Sequence, residues 1–243
     1  MSETTGRLFR VNALKFIPMR LALLAVLSLL CTCVRAQSNL SPDAVNYLYE
    51  VSRKVDPDRY SEVRGTPYRY KEFGPVVIYD ITLNKYELDS ANLNGFTSQF
   101  EFYVDGILRE LLPGNFIRAE VPDRDGMTHK YAHGINAKFP DRYAEIVYKG
   151  DNIIATMVYE VKNDEKVVQD VGKTLRLRRF NAKSLHLAMV DGDLVPITLS
   201  AKKLAADLGF KKEIAAYIKE EKLKPGQRAD LLKIYARADE MVE

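Results

Sequence analysis

His129 and His133 stand four residues apart, with Asp123 and Asp125 just upstream. On a helix that spacing could turn two imidazoles toward one metal ion, with the carboxylates completing its shell. Pro122, Gly126 and Gly134 break helix on both sides, and no glutamate follows His129 as a zinc-protease motif requires. If the segment is a strand, the two rings share a face about 13 Å apart. The expectation is therefore a polar loop or hairpin with two ordinary histidines. The third histidine, His186, alternates with Leu185 and Leu187, which predicts a solvent-facing position.

Other chemistry fares no better. Ser98 and Ser184 lack the Gly-x-Ser-x-Gly elbow of acyl-transfer enzymes. Phosphate-cradling glycine loops are missing from the sequence, so no nucleotide cofactor is expected, and the same holds for other cofactors and metals. Glu101, Glu110, Glu120, Glu145 and Glu160 all fall in predicted strands, where two could meet as a glycosidase-type pair. The chain has no tryptophan, the residue that most often stacks on sugar rings. Enzyme activity is not the expected role.

Two surface patterns remain as weak interaction candidates. Arg176, Arg178 and Arg179 form a basic stripe that alternates with Leu175 and Leu177, as a half-buried strand would. Tyr68 and Tyr70 belong to a tyrosine-rich stretch near the start, and tyrosine is enriched at interfaces because its ring is apolar and its hydroxyl wet.

The elements that must carry these residues are mostly strands. Ser41, Pro42 and Asp43 open an amphipathic helix that Asp56-Pro57 ends. Gly65-Thr66-Pro67-Tyr68 is a turn. Strands follow at residues 76–79, at 100–104 with an Asp105-Gly106 turn, and at 144–148 and 153–161 around Lys149-Gly150-Asp151-Asn152. Another hairpin turns at Asp191-Gly192. After Ser200 the period becomes helical, with stripes at Leu204/Leu208, Ile214/Ile218 and Leu231/Ile234/Tyr235, separated by Gly209 and Pro225-Gly226. The predicted fold is mainly β: an antiparallel sandwich or partly open barrel with two or three C-terminal helices. The short N-terminal helix and the β body together span residues 37–199, and the helical appendix, packed on the sheet, residues 200–243.

Residues 1–36 read as a secretory signal peptide. Lys15 and Arg20 precede an uncharged run of about 14 residues, short of the roughly 20 that span a bilayer. Val34-Arg35-Ala36 then offers a cleavage site between Ala36 and Gln37. A lipid anchor at Cys31 or Cys33 is disfavoured, because Leu30 and Thr32 precede them where a small residue is preferred. The leader holds five of the 36 basic residues and one of the 33 acidic ones, leaving 31 and 32. That near-neutral balance gives no field for a nucleic acid. Both cysteines lie in the leader, so disulfides and zinc-thiolate sites are excluded from the remaining 207 residues.

Arg64-Gly65-Thr66-Pro67-Tyr68 with Phe73, Gly74 and Val76-Val77 resembles the opening of a group of exported bacterial proteins of the Bacteroidota type. The strands at 100–102 and 144–150 and the tail from Ile214 to Tyr235 are similar to that group as well. Pro75 and an insert-like stretch at residues 84–95 depart from it. The resemblance implies export and a general architecture, and no activity. The leading expectation is an exported, non-catalytic module, periplasmic or secreted, that binds another envelope protein or assembly. It has no membrane span once trimmed. The alternatives are a small-molecule or lipid carrier with a β-enclosed cavity, and a carboxylate-dependent hydrolase.

Overall fold

Tight turns and alternating apolar residues set the architecture. In the computed structural model, residues 40–123, 125–170 and 172–242 are described, so the leader and its cleavage site at Ala36 and Gln37 lie outside the described residues. Asp105-Gly106 and Asp191-Gly192 both take positive φ (51° and 75°, 50° and 81°). That left-handed pair is what a two-residue hairpin turn of primed type needs.

Helix α1 (Pro42–Glu50) starts where Ser41 accepts the Ala44 N–H at 3.2 Å. It ends sooner than the sequence suggests. The chain leaves the helix at Val51 and enters β1 (Ser52–Lys54), which pairs with β6 (Ile107–Leu111). Strands β2 (Val63–Arg64), β3 (Gly74–Asp80), β4 (Lys85–Asn94) and β5 (Gln99–Val104) follow in sequence. Then come β7 (Phe116–Pro122), β8 (Thr128–His133), β9 (Tyr143–Lys149), β10 (Ile153–Asp170), β11 (Lys173–Val190) and β12 (Asp193–Ile197). All join one sheet in the order β1-β6-β5-β4-β3-β7-β8-β9-β10-β11-β12, with β2 lying parallel on β11.

The insert-like stretch at residues 84–95 is β4, an interior strand paired on both sides. Pro75, which cannot donate a ladder bond, sits at a bulge in β3.

The sheet is open, and it is bent. Phe100 of β5 touches Tyr131 of β8 and Tyr143 of β9, with ring centroids 5.7 and 5.0 Å apart. Four inter-strand steps separate β5 from β8, about 19 Å if the sheet were flat. Curvature brings the two halves face to face, and their inner faces form the core with Leu93, Phe102, Phe116 and Ile153. At one rim the Val161 N–H donates to the Gly95 carbonyl at 2.9 Å, closing the gap between β4 and β10. A Cβ on Gly95 would lie 2.5 Å from the Tyr159 ring, so glycine is required there.

Helices α2 (Ala201–Asp207), α3 (Lys211–Glu220) and α4 (Arg228–Asp239) follow, as the helical periodicity predicts. Gly209, at φ 86°, makes the predicted left-handed turn after α2. Leu204, Ile214, Ile218, Leu231 and Ile234 join the same core as the strands. Among the described residues, no helix is long and apolar enough to cross a membrane.

Candidate functional site

Directly paired residues of neighbouring strands point to the same face. One such row runs Tyr131, Glu145, Met157, His186, Ile197 across β8 to β12. Here the sheet carries a carboxylate and an imidazole on its inner face, and the last helix with the loop before it lies over them. The result is a chamber of about 280 Å³ lined by Arg69, His129, Glu145, Ser184, His186 and Arg228, with Met157, Leu199, Gly226 and Leu231.

Glu145 is the hub. It is fully buried, and its Oε1 accepts from His129 Nδ1 at 2.7 Å and from the Arg228 guanidinium. Its Oε2 lies 4.0 Å from Arg69 Nη2 and has no hydrogen-bond partner. The other ring nitrogen of His129 faces Asp123 Oδ2 at 3.4 Å. Beside the chamber, the Tyr70 and Tyr131 hydroxyls meet at 2.7 Å. Burial pushes the Tyr70 hydroxyl up to about 12, so it remains protonated as a hydrogen-bonding group.

His186 is half-buried, which corrects the solvent-facing expectation. The Leu185/Leu187 side of β11 packs on Ala144, Val158 and Phe139, and the histidine side faces the chamber. Both faces are covered, so alternation no longer marks an outside. Burial lowers the His186 pKa and keeps the ring neutral. His129 is likewise more than an ordinary loop histidine, because β8 holds it against a buried carboxylate. His133, on the same strand, packs edge-on against Tyr143 at 5.1 Å. The two histidines do not converge.

Of the five candidate glutamates, Glu101 and Glu110 stand directly opposite each other on β5 and β6. Each has its own arginine: Arg59 binds Glu101, and Arg53 Nε donates to Glu110 at 2.9 Å. Tyr68 also donates to Glu101, at 2.9 Å. Glu120 accepts from Tyr79 at 3.3 Å, and Glu160 pairs with Arg142 at 3.1 Å. These carboxylates are tied into the scaffold. Tyr68 and Tyr70 turn their hydroxyls inward, so neither displays the polar tip that makes tyrosine an interface residue.

Arg176, Arg178 and Arg179 sit elsewhere, on a projecting ribbon. Strands β10 and β11 pair over 18 residues each, but β9 covers β10 only from Ile154 to Val158, and β12 covers β11 only from His186 to Val190. Beyond Val161 and Phe180 the hairpin leaves the hydrophobic core, with β2 still paired to β11 at Arg178 and Arg179. Leu175 and Leu177, expected to be half-buried, are 45% and 38% exposed, and Val167 is 57% exposed. On one face Arg176 and Arg178 reach Glu165 at 3.7 and 3.4 Å. Arg179 lies opposite Asp164 on the other face, with Leu177 and Leu175.

Sequence reasoning named Glu145 only as one glutamate in five, and it missed Arg69 and Arg228. A signal existed for Arg228: a cation in the first turn of α4 opposes the helix dipole and calls for a partner. No family model matches this chain, and neither the curated proteins nor the solved structures yield a match.

Proposed function

We propose that this chain is an exported, non-catalytic binding module of the cell envelope that grips another protein through the β10–β11 ribbon. One observation carries the reading: the distal ribbon leaves Val167 on one face, and Leu175 and Leu177 on the other, substantially exposed and outside the hydrophobic core. A two-stranded ribbon is marginally stable alone, and exposed apolar strands with free edges invite pairing. Residues 162–180 contain six basic and three acidic side chains, so the fitting partner is an extended segment with acidic and apolar residues.

The test is a photo-crosslinking residue at Leu175 in intact cells. It should trap one discrete envelope protein, and a triple R176E/R178E/R179E variant should lose that product. Recovery of free monomer alone, or a product unchanged by the triple variant, overturns the reading.

The chamber around Glu145 favours a second reading, a small-molecule carrier. Its charged lining suits a polar ligand and not a lipid tail.

A further inference from the structure

We infer that the chamber beneath the last helix binds a small ampholyte carrying one anionic and one cationic group, the chemistry of a free α-amino acid. This rests on the carrier reading of the same chamber and names its ligand class.

Three lining side chains each hold a buried polar atom with no hydrogen-bond partner: Arg69 Nε, Glu145 Oε2 and His186 Nδ1. Leaving such atoms unpaired is costly, most of all for charged groups. The three are of different kinds. Arg69 offers a cationic donor, Glu145 an anionic acceptor, and the neutral His186 ring either role according to its tautomer. A lone anion would answer Arg69 and leave Glu145 facing a like charge. A lone cation would answer Glu145 and face Arg69 and Arg228. A molecule with both charges a few ångströms apart satisfies the carboxylate and the guanidinium together.

Size and access agree. About 280 Å³ lies just below the ~300–1,000 Å³ of pockets for drug-sized ligands, which suits a smaller molecule. A second hollow of about 610 Å³ shares Ser184, His186 and Leu199 with the chamber and adds Lys138 and Lys183. It lies along β11 beside the stretch between Arg179, where β2 pairing ends, and His186, where β12 pairing begins. Ser184, His186 and Leu199 line both hollows, so Lys138 and Lys183 add positive charge beside the chamber. A carboxylate would be drawn toward it.

The test uses the full-length protein, unfolded and refolded to strip any resident ligand. Calorimetric titration is run with each of the twenty standard α-amino acids, and with acetate and methylammonium as the two half-ligands. At least one amino acid should bind tenfold or more tighter than either half. Ser184 lines the chamber and is solvent-exposed on β11, so Ser184→Phe should block the space a ligand needs and weaken binding at least tenfold with the unfolding midpoint unchanged. Ser184→Arg repeats the block should the first variant not fold. Acetate or methylammonium binding as tightly as the best amino acid overturns the ligand class and leaves the carrier reading standing. No binding by any probe means a chamber filled by water alone, and overturns both. Amino-acid binding that both Ser184 variants leave intact puts the site elsewhere, and overturns the inference.

Discussion

The Asp239 carboxylate accepts the backbone N–H of Asn152 at 2.9 Å, fastening the end of the last helix to the turn between β9 and β10. The Asp151 and Ile153 N–H groups donate to the same carboxylate, and a Cβ on Gly150 would strike it at 2.2 Å. This clasp makes the C-terminal helix part of the sheet.

Asp239→Asn should lower stability by about 1–3 kcal/mol at neutral pH, the cost of weakening hydrogen bonds to a charged group. Burial pushes the Asp239 carboxyl upward, but the three backbone N–H groups and the Tyr148 hydroxyl outweigh it and hold the pKa below the ordinary value. A depressed folded pKa adds stability that is present above the unfolded value and lost as pH falls through the folded one. The gap between wild type and variant should therefore be full above about pH 5 and shrink below about pH 4. Urea unfolding at pH 7 and pH 3 checks it. A gap that grows in acid contradicts the assignment.

Gly95→Ala should cost about 1–3 kcal/mol, because its Cβ would force aside Tyr159 and Val161 where the bent sheet meets itself. Tyr159 cannot yield freely, since its hydroxyl donates to the Tyr68 carbonyl at 3.1 Å. Gly226→Ala meets open space and should stay within about 0.5 kcal/mol of wild type. Thermal melts of the pair give the comparison.

Glu145→Ala should be among the most destabilising single changes, about 3–5 kcal/mol, because it strands the guanidinium and imidazole groups gathered around a fully buried carboxylate. A loss under 1 kcal/mol in denaturant unfolding would mean those groups find water instead.

Leu175→Ser and Leu177→Ser should leave stability within about 0.5 kcal/mol, as exposed positions do. Leu204→Ala, in the core, should cost about 2–5 kcal/mol. If the ribbon leucines prove equally costly in the isolated protein, something within the chain covers them.

The elements legible in the sequence were those with local causes. Asp105-Gly106 and Asp191-Gly192 forced their hairpins, and Leu204, Ile214 and Leu231 marked the helical stripes. Phe100 and Phe102 identified an inward face. Strand β4 was hidden because Asp89, Ser90, Asn92 and Asn94 interrupt its apolar pattern, and its pairing with β3 and β5 comes from chain neighbours on both sides. Strand β8 has the pattern of a polar loop or hairpin, since His129 and Lys130 look like surface residues. The chamber was less legible still. Alternation records which side of a strand is apolar, and at His186 both sides are covered. Arg69, Glu145 and Arg228 come from a loop, a strand and a helix, so no spacing joins them. Leu175 and Leu177 gave the opposite error: their alternation with arginine suggested a buried side that no other element of the fold supplies.

The ribbon sets a length scale. At about 3.4 Å per residue, the nine positions beyond Val161 carry Asp170 about 30 Å out from the last core contact on that strand. Adding or removing a pair of residues in each arm would change this boom by about 7 Å and leave the body untouched. Reach and folding are thus separately adjustable, and a lineage could lengthen or shorten the boom without rebuilding anything beneath it.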